Sequence, residues 1–226
     1  MGRLIAVEGL DGAGKRTIVS ALTEELSARG LTARTLAFPR YGRSLTADLA
    51  AEALRGEHGG LSESVRAMAL LFALDRAGAV DELHAALAAV DVVLLDRYVA
   101  SNAAYGAARM QQPGNGEFAT WIGGLEFDRL GLPVPDLQVL LAVPTDVAAE
   151  RARRRGEMDS TRALDAYERD ADLQRRTAAA YRTMAEIDWR GPWSVLDGSR
   201  SGDREITELS DRITELCMIG HTGARK

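Results

Sequence analysis

The chain is short of several things that would each have pointed elsewhere. A single cysteine, Cys217, rules out an internal disulfide, and the run ITELCMI around it suits packing in a core or interface better than a reactive thiol. No apolar run comes near the ~18 residues that a membrane span requires, and Met1 to Ala6 lacks the basic-then-apolar pattern of an export signal. A cytoplasmic protein is the expectation. No Pro- or Ser-rich linker interrupts the 226 residues, which read as one domain, 1–226, able to bury a substantial core. The net charge of -5 offers no surplus of positive charge, so neither nucleic acid nor a membrane surface is an expected partner.

Lysine is the most telling shortage. Of 28 basic residues, all but Lys15 and Lys226 are arginine. Lys15 is therefore an exception against its own background: a compact ammonium on a flexible stem reaches between phosphates in a tight loop where a planar guanidinium fits differently.

Lys15 sits in VEGLDGAGKRT, Val7 to Thr17. Gly9, Gly14 and Lys15 satisfy the phosphate-binding pattern GxxxxGK[ST], and the stretch lies between an apolar strand and a helical pattern, the context that separates a working loop from a chance match. Backbone N–H groups at Gly9, Gly12 and Gly14, with a helix N-terminus behind them, are built to cradle phosphate oxygens. The next position should carry a hydroxyl for magnesium, but it is Arg16. Thr17, one place on, is a helix cap or a further phosphate contact. A cation in a first helical turn opposes the dipole, which makes sense where an anion binds.

Five apolar runs read as strands: Arg3 to Gly9, Ala33 to Phe38, Val92 to Asp96, Leu137 to Val143 and Trp193 to Gly198. They are continuous rather than alternating, as in parallel strands buried on both faces. Helical patterns lie between them, including Ile18, Leu22 and Leu26, and one long segment from Leu61 to Val90. The alternation predicts an α/β fold, a doubly wound, five-stranded parallel sheet flanked by helices. QQPGNGE, Gln111 to Glu117, reads as an exposed loop.

In such a sheet ligands bind beyond the carboxyl ends of the strands. There the chain places Asp96, a strand-end acid or a helix cap, followed by Arg97, and FPRYG, whose Arg40 and Tyr41 can enter the crevice. Phe72 and Arg76 share a helix face, which also suits a core phenylalanine and an arginine paired with a carboxylate. After the fourth strand, Arg151, Arg153, Arg154, Arg155 and Arg162 surround Gly156, and a mobile basic flap over phosphates fits them better than a solvated helix face. Asp165, Tyr167 and Glu168 follow at a helix start.

Taken together, GLDGAGKRT, FPRYG, FALDRAG, DRYVASNAAY and RALDAYERD resemble the motifs of thymidylate kinases, most closely the actinobacterial form, across Met1 to Thr177. The resemblance implies a P-loop nucleoside monophosphate kinase fold and transfer of the ATP γ-phosphoryl group to dTMP, with Mg2+, by a cytoplasmic homodimer. It implies ATP contacts at Gly9, Gly12, Gly14, Lys15, Arg16, Thr17 and Arg151. Around dTMP it places Asp11, Phe38, Arg40, Tyr41, Phe72, Arg76, Asp96, Arg97, Ser101, Asn102, Tyr105, Asp165 and Tyr167. Phe72 then stacks on thymine, Arg76 and Asn102 read its polar edge, and Tyr105 packs under the deoxyribose. Catalysis falls to Lys15, Arg16, Asp11, Arg97, Arg155 and Arg162, the metal to Asp11 and Glu168, and the segment at about 150–163 becomes the lid. Phosphoryl transfer needs positioned charge more than a nucleophile or strong base on the protein. Other readings stay open: a sibling kinase acting on dCMP, UMP or a deoxynucleoside, a nucleotide-binding regulator without turnover, or a P-loop switch, which needs an NKxD-type segment that the chain lacks.

Overall fold

Each apolar run forms a strand: β1 (Arg3–Glu8), β2 (Ala33–Ala37), β3 (Val92–Asp96), β4 (Leu137–Ala142) and β5 (Trp193–Asp197). The structure, a computed structural model, describes residues 1–158, 166–199 and 202–222. Every pairing is parallel, in the order β2-β3-β1-β4-β5, so the expected five-stranded sheet is the one that forms. β1 is central, with Ala6 beside Leu95 of β3 and Gln138 of β4.

Successive residues of β1 enter different cores. Leu4 and Ala6 join Val93 and Leu95 beneath α4 (Val80–Ala89), α5 (Val99–Arg109) and α9 (Ala171–Glu186). Ile5 and Val7 join Val92, Leu94 and Val139 beneath α1 (Lys15–Ala28) and α10 (Asp203–Thr222). Ile18, Leu22 and Leu26 of α1 and Cys217 of α10 are buried in this second core. At roughly 25 cal/mol per Å² of apolar surface removed from water, these two layers are the main favourable contribution to folding.

Three sequence expectations change. Burial on both faces holds for β1, β3 and β4, but β2 buries only Leu36 and β5 only Trp193, because they are the edges and have a partner on one side alone. The stretch Leu61 to Val90 is not one helix. A 3-10 turn (Gly59–Glu63), α3 (Val65–Ala77) and α4 divide it. The break falls at Gly78, a poor helix former, whose carbonyl accepts from Arg40 Nη1 at 3.4 Å. The Gln111 to Glu117 loop is exposed only in part: Gly114 is buried, and a Cβ there would lie 2.1 Å from the Ala180 carbonyl oxygen.

α5 is built from small residues, and Ala100, Ala103, Ala104, Gly106, Ala107 and Ala108 are all buried. A Cβ on Gly106 would stand 1.9 Å from the Phe118 ring of α6 (Glu117–Gly123). Among these small residues, Ser101, Asn102, Tyr105 and the terminal Arg109 are the polar side chains that α5 presents to the cleft at the strand ends.

Candidate active site

β1 ends beside β3 and β4, and its loop opens into a cleft of about 1780 Å³. That exceeds the ~300–1,000 Å³ of one small-molecule pocket and suits two nucleotides side by side. The loop turns through Gly9 (φ 141°), Gly12 (φ 79°) and Gly14 (φ 97°), a region unfavourable for L side chains. At Gly12 there is no room either: a Cβ would lie 2.0 Å from the Ala148 carbonyl oxygen of α7 (Thr145–Met158).

Lys15 opens α1, buried, with Nζ donating to the carbonyls of Gly9 (3.1 Å) and Leu10 (2.8 Å). Burial, and then the neighbouring Arg97 cation, depress its pKa to about 8, against the pull of Asp11, Asp96 and Glu8. Arg16 and Thr17 line the cleft and are exposed, and among the described residues Arg16 has no hydrogen bond or ion pair. Thr17 does not cap α1, whose cap residue is Gly14.

Arg97 occupies the left-handed region (φ 67°), unusual for a residue with a side chain. Its N–H bonds the Val7 carbonyl at 3.0 Å, and its guanidinium donates to Asp11 Oδ1 (2.7 Å), to the Gly9 carbonyl (3.1 Å) and to Ser101 Oγ (3.2 Å). It also lies over the Tyr105 ring at 5.5 Å, while the Tyr105 hydroxyl donates to Asp11 Oδ2 at 2.9 Å. Burial alone would raise the Asp11 pKa, but the Arg97 and Lys15 cations and these hydrogen bonds outweigh it and hold the carboxyl well below the usual range. Asp96 lines the cleft and does not cap α5, whose cap residue Tyr98 makes no side-chain cap bond.

The wall opposite the loop is set by α3 and α5. Phe72 and Arg76 both line it, so the shared helix face predicted from their spacing faces the cleft. Arg76 also has the carboxylate partner that the alternative reading required. Its Nε and Nη2 grip Glu126, the latter at 2.8 Å, in a pair whose side chains are 3% and 0% exposed. Burial works against the guanidinium charge, yet Glu126 overrides it and the Arg76 pKa is raised. Asn102 donates from Nδ2 to Glu126 Oε1 (2.7 Å) and to the Ala69 carbonyl (2.9 Å).

Arg40 behaves otherwise than expected. Its N–H and Nε bond the two oxygens of the fully buried Asp75 at 2.9 and 2.8 Å, and Nη2 reaches the Asp75 carbonyl at 2.6 Å. The group is thereby turned into the β2–α3 junction and is not among the residues lining the cleft. Tyr41 does line it, half exposed, and Phe38 forms its floor against Tyr98 at 5.9 Å between ring centroids.

The basic segment divides. Gly156 does not break it, since α7 continues to Met158. Arg153 pairs with Glu150 and Glu157, and Arg154 with Glu150, on an exposed helix face, so for these two the solvated-face reading holds. Arg151 and Arg155 line the cleft. Arg151 donates to the Gly198 carbonyl at 3.1 Å, and Arg155 to Glu168 Oε1 at 2.6 Å. Among the described residues Arg155 Nε is buried without a hydrogen-bond partner. Tyr167 and Glu168 lie in the short α8 (Ala166–Arg169), and Tyr167 stacks on Tyr105 at 6.2 Å. Arg162 and Asp165 lie outside the described residues.

Four residues at this site escaped the sequence reading. Glu8, fully buried at the end of β1, accepts from the Tyr98 N–H (2.8 Å), Ser101 Oγ (2.6 Å) and the Tyr181 hydroxyl (3.0 Å), and burial raises its pKa despite them. An acid inside an apolar strand was its visible signal. Asp75 and Glu126 are the carboxylates behind Arg40 and Arg76. Arg109 lies over the Tyr167 ring at 4.9 Å and ties it to the Ser62 carbonyl at 2.6 Å.

Donor chemistry bears on a metal. Arginine has no acceptor and cannot ligate one, so Arg16 removes the expected hydroxyl ligand. Asp11, held ionised, and Asp96 instead present carboxylate oxygens to the cleft beside the phosphate loop. Mg2+ takes oxygen ligands, keeps several waters and needs only one or two carboxylates from the protein. These residues fit it.

A family model described as thymidylate kinase matches residues 7–208, which extends the likeness beyond the motifs ending near Thr177. The thymidylate kinase of Mycobacterium tuberculosis (strain ATCC 25618 / H37Rv) is 58% identical over 193 residues, 85% of this chain and 90% of that protein. That of Akkermansia muciniphila is 35% identical over 214 residues, 91% of this chain and 87% of the relative. A probable thymidylate kinase of Archaeoglobus fulgidus is 36% identical over 166 residues, covering 72% and 75%. With a phosphate loop at the head of a parallel sheet, a second wall across one cleft and likeness over most of its length, the chain belongs to the thymidylate kinase family.

Proposed function

We propose that the chain transfers the γ-phosphoryl group of ATP to dTMP, giving ADP and dTDP. The observation that carries this reading is the pairing of two unlike walls in one cleft: the phosphate loop with Lys15, and the Phe72, Arg76 and Asn102 wall suited to a pyrimidine. A phosphate oxygen of dTMP attacks the γ-phosphorus, the bond to the bridging oxygen breaks, and that oxygen leaves on ADP with the electron pair. Charge moves without a base on the protein, so positioning and electrostatics carry the rate. Lys15 and the loop N–H groups receive the ATP phosphates. Arg97, fixed by Asp11 and Ser101, faces the acceptor phosphate, and Arg155 faces the transferring group from α7.

Asp11, with Asp96 beside it, would hold Mg2+. Bound there, the ion would supply positive charge that neutralises the phosphates during transfer. Glu168, whose Oε1 accepts from Arg155 Nη2, is the further carboxylate that would join them. Arg16 becomes a fixed cation for phosphate, which accounts for its standing exposed in the cleft without a protein partner among the described residues. The homodimer is also part of the proposal, supported by the half-exposed Leu70 and Leu74 on α3 and tested by light scattering on the purified chain.

The decisive assay is coupled ADP release with ATP and a panel of dTMP, dUMP, dCMP and UMP. The expected order is dTMP, then dUMP, with dCMP near background. Equal turnover of dCMP and dTMP would remove the base assignment, and turnover of none would leave a binding protein.

A further inference from the structure

Glu126 lies in a π-helical turn (Gly124–Arg129), where Leu125, Glu126 and Phe127 are all buried in succession. Such turns insert an extra residue into a helix and recur at functional sites. Here the turn sends a carboxylate, 0% exposed, between α3 and α5. Oε2 accepts from Arg76 Nε, and Oε1 accepts from both Arg76 Nη2 and Asn102 Nδ2.

The consequence lies in what remains. The Asn102 amide contacts two groups, Glu126 Oε1 and the Ala69 carbonyl, that can only accept, so its NH2 must face them and the orientation of the amide is not free. Asn102 lines the cleft, and its Oδ1 has no hydrogen bond among the described residues. The Arg76 guanidinium, spent on one edge, has Nη1 left, also without a bond among the described residues. One carboxylate oxygen, Glu126 Oε1, thus joins two side chains whose remaining groups are a donor on Arg76 and an acceptor on Asn102.

We propose that Glu126 is a specificity-determining positioning residue: by setting which edge of the Arg76 donor remains and by holding the Asn102 amide so that its acceptor remains, it selects pyrimidines with a carbonyl at position 4 and a proton on N3. Thymine and uracil present that pair in the matching order. Cytosine presents an amino donor and an unprotonated ring nitrogen, so both contacts are reversed, and a site built around paired polar groups rejects such a ligand strongly. Glu126 acts through Arg76 and Asn102 and does not touch the base. The inference rests on the dTMP reading above.

The test uses Glu126→Asp, which keeps the charge opposite Arg76, avoiding a buried unpaired cation, but is too short to hold both partners. The expected result is a dTMP KM raised ~10-fold with kcat within ~3-fold, and a dTMP:dCMP ratio of kcat/KM lowered at least ~10-fold. A folded variant with unchanged KM and ratio overturns the proposal, as does a parallel loss of kcat for all bases. Arg76→Ala and Asn102→Ala separate the two levels: if neither changes the ratio, the base-reading assignment fails; if they change it and Glu126→Asp does not, only the role of Glu126 fails. The unmodified protein gives a second test that no folding defect can obscure. It should bind N3-methyl-dTMP at least ~10-fold more weakly than dTMP, and equal binding shows that no acceptor faces N3.

Discussion

Replacing Lys15 by methionine keeps the length and apolar stem of the side chain and removes only the ammonium. Lys15 is 7% exposed and makes two carbonyl bonds within its own loop, so the free protein already holds it where phosphates would arrive. Losing one preorganised cation at developing charge costs ~2.7–4 kcal/mol of transition-state stabilisation, or ~10²–10³ in kcat, by comparison with loss of a single oxyanion donor. Coupled ADP release reads this directly. Turnover within ~3-fold of the unmodified protein would remove Lys15 from the mechanism.

The depressed pKa gives a second, independent readout. With a value of about 8, kcat/KM for ATP should fall above about pH 8, and kcat should fall only at higher pH, because bound phosphate favours the charged form. The stability effect has the opposite slope from that of a lysine stabilised by a partner. The folded value lies below the ordinary 10.5, so between about 8 and 10.5 the unfolded chain binds more protons and stability rises with pH. At 1.36 kcal/mol per pKa unit this amounts to roughly 2 kcal/mol between about pH 7.5 and about pH 9.5. The difference between unmodified protein and Lys15→Met, measured by urea unfolding at the two pH values, isolates that contribution. If both proteins show the same pH slope, Lys15 is not the group that burial perturbs.

Gly12→Ala adds a left-handed penalty of ~1–2 kcal/mol to a clash with the backbone of α7, so the melting temperature should fall by ~4 °C or more; an unshifted melt contradicts the loop geometry. Arg16→Ala removes a cation from a helix N-terminus and should leave stability equal or higher by ~0.3–1 kcal/mol while lowering activity; a destabilised, fully active variant makes Arg16 structural. Arg155→Ala should lower kcat by up to ~10³ with a smaller effect on dTMP KM, as for arginines on transferring phosphate, and an unchanged kcat assigns it to the pair with Glu168 alone. Tyr105, held against Asp11 and Arg97, leaves little room beneath a bound sugar, so UMP should be a far poorer substrate than dUMP; comparable kcat/KM for the two refutes that placement.

The sheet was legible because its signal is local. Val92 to Asp96 reads as a strand from composition alone, and the ends of the other runs fall within a residue of the observed strands. The Leu61 to Val90 break was not legible from apolar spacing, which continues through it. The chain turns there because Gly78 weakens the helix and Arg40, from a different strand end, reaches its carbonyl. Edge exposure of β2 and β5 likewise depends on strand order, which periodicity does not carry.

The site divides along the same line. Positions such as Lys15, Asp11, Arg97, Phe72 and Tyr105 were readable from motifs, and the fold brings them to one cleft. What the motifs could not supply is the carboxylate each arginine answers to. Arg40 meets Asp75 from 35 residues away, Arg76 meets Glu126 from 50, and Arg97 meets Asp11 from 86. Burying a guanidinium demands a partner, but among 33 acids the demand does not name one. The partner nevertheless decides the chemistry. Asp75 draws Arg40 out of the cleft lining, Glu126 takes up one edge of Arg76, and Arg16 stands in the cleft with no acid partner among the described residues. Three arginines that look alike in sequence are therefore placed differently, by the acid that holds each of two and by the lack of one, among the described residues, at the third.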